Sequence, residues 1–206
     1  MIKSAAVKRR GVLALILISG LLLFLLSCAA SVKQFYPDHY YQAEGIYENR
    51  PLGFTLIYKG NWDLILDPRD MSPSNRDFAR ELNENGLELL YVGTTVEGFH
   101  GTRAIAANLN EPVMEYARKI RELNLADNDS DRGLTVCTDV KLPVVKWEYD
   151  RAGFRFVEYY FKVDTHNVRV AFWSTPEKFE MFAPVYEEVI NSLGLGRVPG
   201  PHNSDE

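Results

Sequence analysis

The chain lacks the short motifs that mark common catalytic sites. It contains no Gly-x-Ser-x-Gly turn, no His-Glu-x-x-His motif and no phosphate-binding loop. Histidine is also scarce: His39, His100, His166 and His202 fall in a predicted tether, in two hairpin turns and in the tail. We expect each to be a solvated turn residue rather than a ligand or a base. The sequence therefore predicts no catalytic residue, no cofactor and no metal site.

Long apolar runs are absent except near the amino terminus. The first ten residues carry four Lys or Arg and no acid, residues 11–26 are apolar, and the small Ser27 precedes Cys28. A basic start, an apolar stretch and a small-residue site are typical of an export signal. A transmembrane helix needs about 20 apolar residues, so cleavage is favoured over an uncleaved anchor. Ordinary signal-peptide cleavage without lipid is the other alternative.

Leu25-Leu26-Ser27-Cys28, followed by Ala29, resembles the signal of bacterial lipoproteins. The resemblance implies cleavage before Cys28, diacylation of Cys28 and acylation of the new amino terminus. Several acyl chains hold a protein firmly at a membrane, whereas one gives only marginal binding. The resemblance also implies a location on the periplasmic side. In a cell with two membranes, Ala29 favours the outer one over the inner one.

The mature chain has fewer basic than acidic residues once the signal is removed. Removal of residues 1–27 from the 206-residue chain leaves 179 residues, which is enough for one domain. Of the 23 Lys and Arg, four lie in the signal, so 19 remain against 28 acids and the net charge becomes −9. This acidity argues against a nucleic-acid partner, because phosphates require basic patches. Membrane attachment is then expected to depend on the acyl chains of Cys28.

Cysteine is nearly absent, which excludes a disulfide framework. If Cys28 carries lipid, no second cysteine remains to form a disulfide with Cys137, and we expect no intramolecular disulfide. Cys137 sits in a strand-like stretch and is expected to be buried and inert. Stability must then come from a hydrophobic core, which a content of 46% hydrophobic residues can supply.

The patterning predicts an α+β domain. We assign residues 1–27 to the signal, 28–45 to a lipidated tether, 46–195 to the domain and 196–206 to a flexible tail. Alternation and turn signals predict strands, then a helix, two strands, a second helix, a strand meander and a final helix. Pro184 lies inside the final helical pattern and is expected to kink or restart that helix. Hairpin connections dominate, so we expect a largely antiparallel sheet packed by helices in a layered sandwich.

Two patterns in the chain resemble those of PsbP-like domains. The first is a strand at 53–58 followed by Trp62. The closing pattern is a strand at 168–173 followed by Phe179, Tyr186 and Leu193. The resemblance spans about residues 46–195. Residues 59–61 depart from it, because Lys-Gly-Asn stands where the family usually places proline. It implies an antiparallel sheet between helices. It also implies an accessory binding module, since the family includes photosystem extrinsic subunits and a nuclear-import factor, and it carries no catalytic residues to transfer.

One acidic cluster has a spacing that is typical of calcium loops. Asp127, Asp129 and Asp131 alternate ahead of Gly133, so one turn could offer several hard oxygens. The glycine comes one position late, Arg132 adds a positive charge, and Thr138 occupies the place of the twelfth-position acid. A solvated loop of turn-forming residues is the favoured interpretation.

Aromatic residues allow two interpretations. Trp62, Trp147 and Trp173 could form a ligand platform, but their strand-like apolar contexts favour core packing. The tether carries Phe35, Tyr36, Tyr40 and Tyr41, which could contact the membrane interface, although packing on the domain is favoured.

Together these features predict a lipid-anchored accessory or binding protein of the cell envelope, not an enzyme, with a protein partner. A cryptic hydrolase or metal-dependent envelope enzyme is the alternative. A pocket that joins several acids, or a histidine and a hydroxyl, would favour that alternative.

Overall fold

The computed structural model describes residues 39–95, 97–138, 140 and 142–196. The strands of this region are β1 (His39–Tyr41), β2 (Ile46–Asn49), β3 (Phe54–Ile57), β4 (Trp62–Ile65), β5 (Leu87–Thr95), β6 (His100–Ala107), β7 (Ser130–Cys137), β8 (Val144–Arg151), β9 (Phe154–Val163), β10 (His166–Ser174) and β11 (Gly194–Leu195). Its helices are α1 (Pro73–Glu84), α2 (Val113–Asn124) and α3 (Pro176–Asn191). None of these helices is long and apolar enough to cross a bilayer. The predicted signal lies outside the described residues.

Seven strands form one antiparallel sheet in the order β4-β5-β6-β10-β9-β8-β7. Tight hairpins build its centre. Between β8 and β9, Ala152 and Gly153 both have positive φ, 51° and 79°. Two consecutive positive φ values are those of a type I′ turn, whose twist matches that of the flanking strands. The predicted α+β class and the antiparallel sheet are confirmed.

The inner face of this sheet, defined by Val157, Tyr159 and Phe161, carries the main hydrophobic core. It is covered by α3 and by a second antiparallel sheet of order β1-β2-β3-β11. Phe161 is fully buried against Phe54 of β3, with ring centroids 5.4 Å apart. Truncating such a buried ring to alanine costs about 3–5 kcal/mol. The strand residues therefore tie the two sheets into one core.

The outer face, defined by Tyr149, Glu158 and Tyr160, is covered by two separate helices. On α1, Ala79 and Leu82 pack on β5 and β6. On α2, Tyr116 and Ala117 pack on β8 and β9. Because α1 and α2 lie over opposite halves of the sheet, parts of β6 and β10 lie between them. Four outward residues of these two strands form what we call the central strip: Arg103, Arg169, Ala171 and Trp173.

Three local expectations differ from the structure. Residues 130–137, expected to begin as a loop, form β7 at the sheet edge, with a register shift between Asp131 and Leu134. Pro184 does not restart the last helix, because buried residues on both sides of it, Phe179 and Tyr186, anchor the two halves to one core. The segment predicted as a tether contributes β1, which pairs with β2.

The favoured packing interpretation holds for the described tether tyrosines. The Tyr40 hydroxyl donates to the Trp62 carbonyl at 3.1 Å, and its ring meets Tyr58 edge-on. The Tyr41 hydroxyl donates to Glu48 at 3.2 Å. Phe35 and Tyr36 lie outside the described residues. β1 is thus attached to the domain by side chains as well as by strand pairing.

Candidate functional site

Most predicted site residues do not converge. Cys28 and His202 lie outside the described residues. His39 is exposed on β1 beside Tyr41, and His166 opens β10 with its Nδ1 3.3 Å from the Thr165 hydroxyl. Cys137, expected to be buried, is half-exposed because β7 is the sheet edge. Cys137 lines a cavity of about 280 Å³ with Lys146, Tyr159 and Glu187 on the inner side.

The prediction that His100 is a solvated turn residue is wrong. His100 begins β6 and is 7% exposed, with its ring stacked on Phe182 at 4.0 Å and packed against Trp62 at 4.5 Å. Burial lowers the pKa of His100 to about 4, and Glu97 offsets this only in part. The strand β6 already begins at His100, within the segment expected to be a hairpin turn. The period-two pattern of β6 therefore carries this imidazole inward, into the core between Phe182 and Trp62.

The acidic cluster is bound by arginines. Asp131 accepts hydrogen bonds from Arg121 Nε at 3.1 Å and from the indole N–H of Trp147 at 2.7 Å. Hydrogen bonding by Arg121 lowers the pKa of Asp131 to about 2. Asp127 pairs with Arg151 at 3.3 Å. Within the described residues, no group of three His, Cys, Asp or Glu side chains could hold a metal ion. The charges of Asp131 and Asp127 are therefore paired within the protein, whereas Asp129 is exposed.

The three tryptophans differ in their exposure. Trp62 and Trp147 are buried, as the core interpretation predicts, at 2% and 1% exposure. Trp173 is half-exposed on the central strip, so its core prediction is wrong. Its indole lies over Gly101, where an added Cβ would approach a ring carbon to 2.4 Å. Glycine at position 101 is thus required for this placement of the indole.

An unpredicted ionic cluster lies under the central strip. Glu158, 1% exposed, accepts hydrogen bonds from the Tyr149 hydroxyl at 3.0 Å and from the Tyr160 hydroxyl at 2.5 Å. Arg169 Nη1 lies 3.7 Å and Arg103 Nη2 4.0 Å from its carboxylate oxygens. Ala171 separates Arg103 from Glu158 in the sheet register, and its small methyl leaves room for them to meet. Two guanidinium groups thus face one carboxylate.

The cluster is charged at neutral pH. Burial acts to raise the pKa of Glu158, but Arg169, Arg103 and the two tyrosine hydroxyls outweigh it, so the pKa lies below its usual value. Burial lowers the pKa of Arg103, which Glu158 offsets only in part. The usual arginine pKa is so high that Arg103 remains cationic at neutral pH. The cluster therefore holds one net positive charge.

A groove of about 330 Å³ opens beside this cluster, against α1. Its lining includes Phe78 of α1 and Arg103 and Trp173 of the central strip. The Arg103 guanidinium carbon lies 5.2 Å from the centroid of Phe78 and 6.0 Å from that of Trp173. A cation held against aromatic rings in a groove of this size is suited to binding a small ligand. The groove joins neither several acids nor a histidine and a hydroxyl.

Comparisons with known proteins support the fold. The chain is similar to the solution structure of cyanobacterial PsbP (CyanoP) from Synechocystis sp. PCC 6803, with a TM-score of 0.51 and 10% identity over 73% of this chain and 91% of that one. A crystal structure from Bacteroides thetaiotaomicron VPI-5482 matches with a TM-score of 0.37 and 14% identity, over 72% of this chain and 46% of that one. No family model and no curated protein matches the sequence. The first likeness confirms the predicted PsbP-like fold.

Proposed function

We propose that the protein is a lipid-anchored accessory protein of the cell envelope, on the periplasmic side, that binds a partner or envelope component without catalysing a reaction. The observation that carries this proposal is the lipoprotein-type sequence ending at Cys28, followed by a PsbP-like domain whose first strand begins at His39. In a cell with two membranes, Ala29 favours the outer one. The sequence resemblance associates this fold with accessory binding modules.

The spacing between Cys28 and β1 limits where the domain can act. The chain from Cys28 to His39 can extend at most about 40 Å, at about 3.6 Å per residue. Acylated Cys28 would hold the start of the domain within that distance of the bilayer. A partner would then be a component of the membrane or of the envelope layer next to it.

The geometry of the groove supports binding rather than hydrolysis. It joins a guanidinium to two aromatic rings, Phe78 and Trp173, and so offers attraction and contact area. Hydrolytic sites instead place a nucleophile or metal-bound water beside a base. His100 lies buried under Phe182 and does not line this groove.

Crosslinking in intact membranes, followed by affinity capture, tests the proposal. The matched control is the same chain exported behind an ordinary cleavable signal in place of residues 1–28, so that the domain is unchanged but carries no lipid. We expect a discrete adduct with the lipidated chain that is lost or much reduced in the control. Absence of an adduct would contradict the binding function. Turnover of an ester, glycan or peptide by the purified chain would favour the hydrolase alternative.

A further inference from the structure

We propose that the groove beside Arg103 binds the carboxylate of a small ligand that has a flat, apolar body. The carboxylate pairs with the Arg103 guanidinium, and the body lies against the rings of Phe78 and Trp173. This inference rests on the proposed binding function and specifies its ligand class. It is carried by the charge, the hydrogen bonding and the shape of the groove.

The first argument is the charge imbalance. Arg103 and Arg169 share the single carboxylate of Glu158, and Glu158 is the more nearly buried partner in both pairs. Charges withdrawn from water are stable only when they are paired. The remaining charge is one positive unit, which a monoanion would neutralise. A carboxylate is a monoanion whose two oxygens match the fork of a guanidinium.

The second argument concerns hydrogen bonds. Arg103 Nε is buried and has no hydrogen-bond partner among the described residues. The 4.0 Å contact between Arg103 and Glu158 is an ion pair that is too long to be a hydrogen bond. Glu158 instead receives its hydrogen bonds from Tyr149 and Tyr160. The Nε donor of Arg103 is therefore unpaired, and the side chain keeps 29% of its surface exposed, where an incoming acceptor can meet the guanidinium.

The third argument is the placement of the guanidinium. Phe78 and Trp173 contact it from α1 and from β10, and Glu158 holds it from β9. The arginine is thus oriented before any ligand arrives, which reduces the entropy cost of binding. The same two rings offer the apolar surface on which a planar group can stack. An anion without an apolar body would use only part of the groove.

The polar lining is compatible with a monoanion. Asn75 and Thr94 are neutral, and Asp63 is the one acid among the residues that line the groove. Asp63 is exposed on the edge strand β4, so solvent screens its repulsion.

The test measures binding of phenylacetate to the full chain in detergent by calorimetry. Phenylacetamide, which has the same shape but no charge, is the matched probe. We expect phenylacetate to bind at least tenfold more tightly, because charge-assisted hydrogen bonds are about twice as strong as neutral ones. Arg103→Gln is expected to remove this preference. Arg80→Gln, on α1 with its charge paired only to exposed Asp77, is the control and should leave it unchanged.

Equal affinity for the two probes, or no binding of phenylacetate at millimolar concentration, would overturn the inference without any variant. Retention of the preference in folded Arg103→Gln protein would overturn it as well. The result is independent of lipid attachment. A chain that binds phenylacetate but carries unmodified Cys28 would refute only the proposed anchoring, and an acylated chain that does not bind it would refute only the ligand class.

Discussion

Arg103 lies 4.0 Å from Glu158 across the small residue Ala171, while the two hydrogen bonds to the Glu158 carboxylate come from Tyr149 and Tyr160. This relationship gives Glu158 a structural role and leaves Arg103 available. The carboxylate neutralises part of the positive charge under the central strip and fixes the position of the guanidinium. The stability of the domain should therefore depend on Glu158.

Glu158→Gln should lower the free energy of unfolding by about 3–5 kcal/mol, because it leaves two guanidinium groups without their buried anion. Denaturant titration of wild type and variant gives this difference. Glu180→Gln is the control, since Glu180 is 82% exposed and pairs only with Arg155 at the surface. It should change stability by less than about 0.5 kcal/mol. Equal effects of the two changes would contradict the role of the cluster.

Asp131→Asn should destabilise the domain because Asp131 ties α2 to β7 and β8 through Arg121 and Trp147. A hydrogen bond to a charged group contributes about 1.5–3 kcal/mol. Since the pKa of Asp131 is lowered to about 2, this stability is present above about pH 4 and is lost as the pH falls towards 2. Urea titrations between pH 7 and pH 2 should show that the difference in unfolding free energy between wild type and Asp131→Asn becomes smaller as the pH falls. A difference in unfolding free energy that did not change with pH would contradict a stabilising role for the Asp131–Arg121 ion pair.

The neighbouring Asp129 provides the control for that change. Its side chain is exposed, and it is the backbone N–H of Asp129 that donates, to the Asp150 carbonyl at 2.8 Å. Asp129→Asn should therefore leave the unfolding free energy nearly unchanged at pH 7. A loss as large as that of Asp131→Asn would show that local charge, rather than the Arg121 contact, sets the stability.

Calcium at millimolar concentration should leave the melting temperature unchanged. A ligand that binds only the native state must raise stability by mass action. Here Asp131 and Asp127 are already paired with Arg121 and Arg151, so a cation would have to displace arginine. A clear rise in melting temperature that Asp129→Asn abolishes would show that the loop is a calcium site after all.

His100→Phe should make the domain less sensitive to acid. The pKa of His100 lies near 4 in the folded protein, below its usual 6.5, so the unfolded chain binds a proton more readily between those pH values. Stability from the neutral imidazole is therefore present above pH 6.5 and is lost as the pH falls towards 4. Phenylalanine keeps the stacking on Phe182 and has no proton to bind. Melting curves that fall in parallel for both proteins would contradict the burial of His100.

The sequence predicts the elements whose pattern is local. Alternation and turn signals predicted the strand meander that contains β8, β9 and β10, because turn chemistry and side-chain period act over a few residues. It did not predict β7 fully, since an edge strand with a shifted register and many polar residues lacks a clear period. Pro184 also does not restart the last helix, because tertiary burial on both sides of it offsets a local cost.

The candidate site could not be predicted from local sequence patterns. Glu158 stands within an apolar strand pattern, and only the sheet order brings it opposite Arg103 of β6 and Arg169 of β10. The available signal was the presence of single charged residues in the middle of otherwise apolar strands, since buried charges need partners. Half-exposure of Trp173 depends in turn on the division of the outer face between α1 and α2. Both features depend on long-range packing.

Mass spectrometry of the mature amino terminus tests the proposed lipid anchoring most directly. Cys28→Ser should abolish lipid labelling, but its uncleaved apolar segment could still hold the precursor at a membrane, so fractionation alone is a weaker measurement. The account predicts that the wild-type chain begins at Cys28 and carries the mass of attached acyl chains. A chain that retains residues 1–27, or one that has an unmodified Cys28, would contradict it.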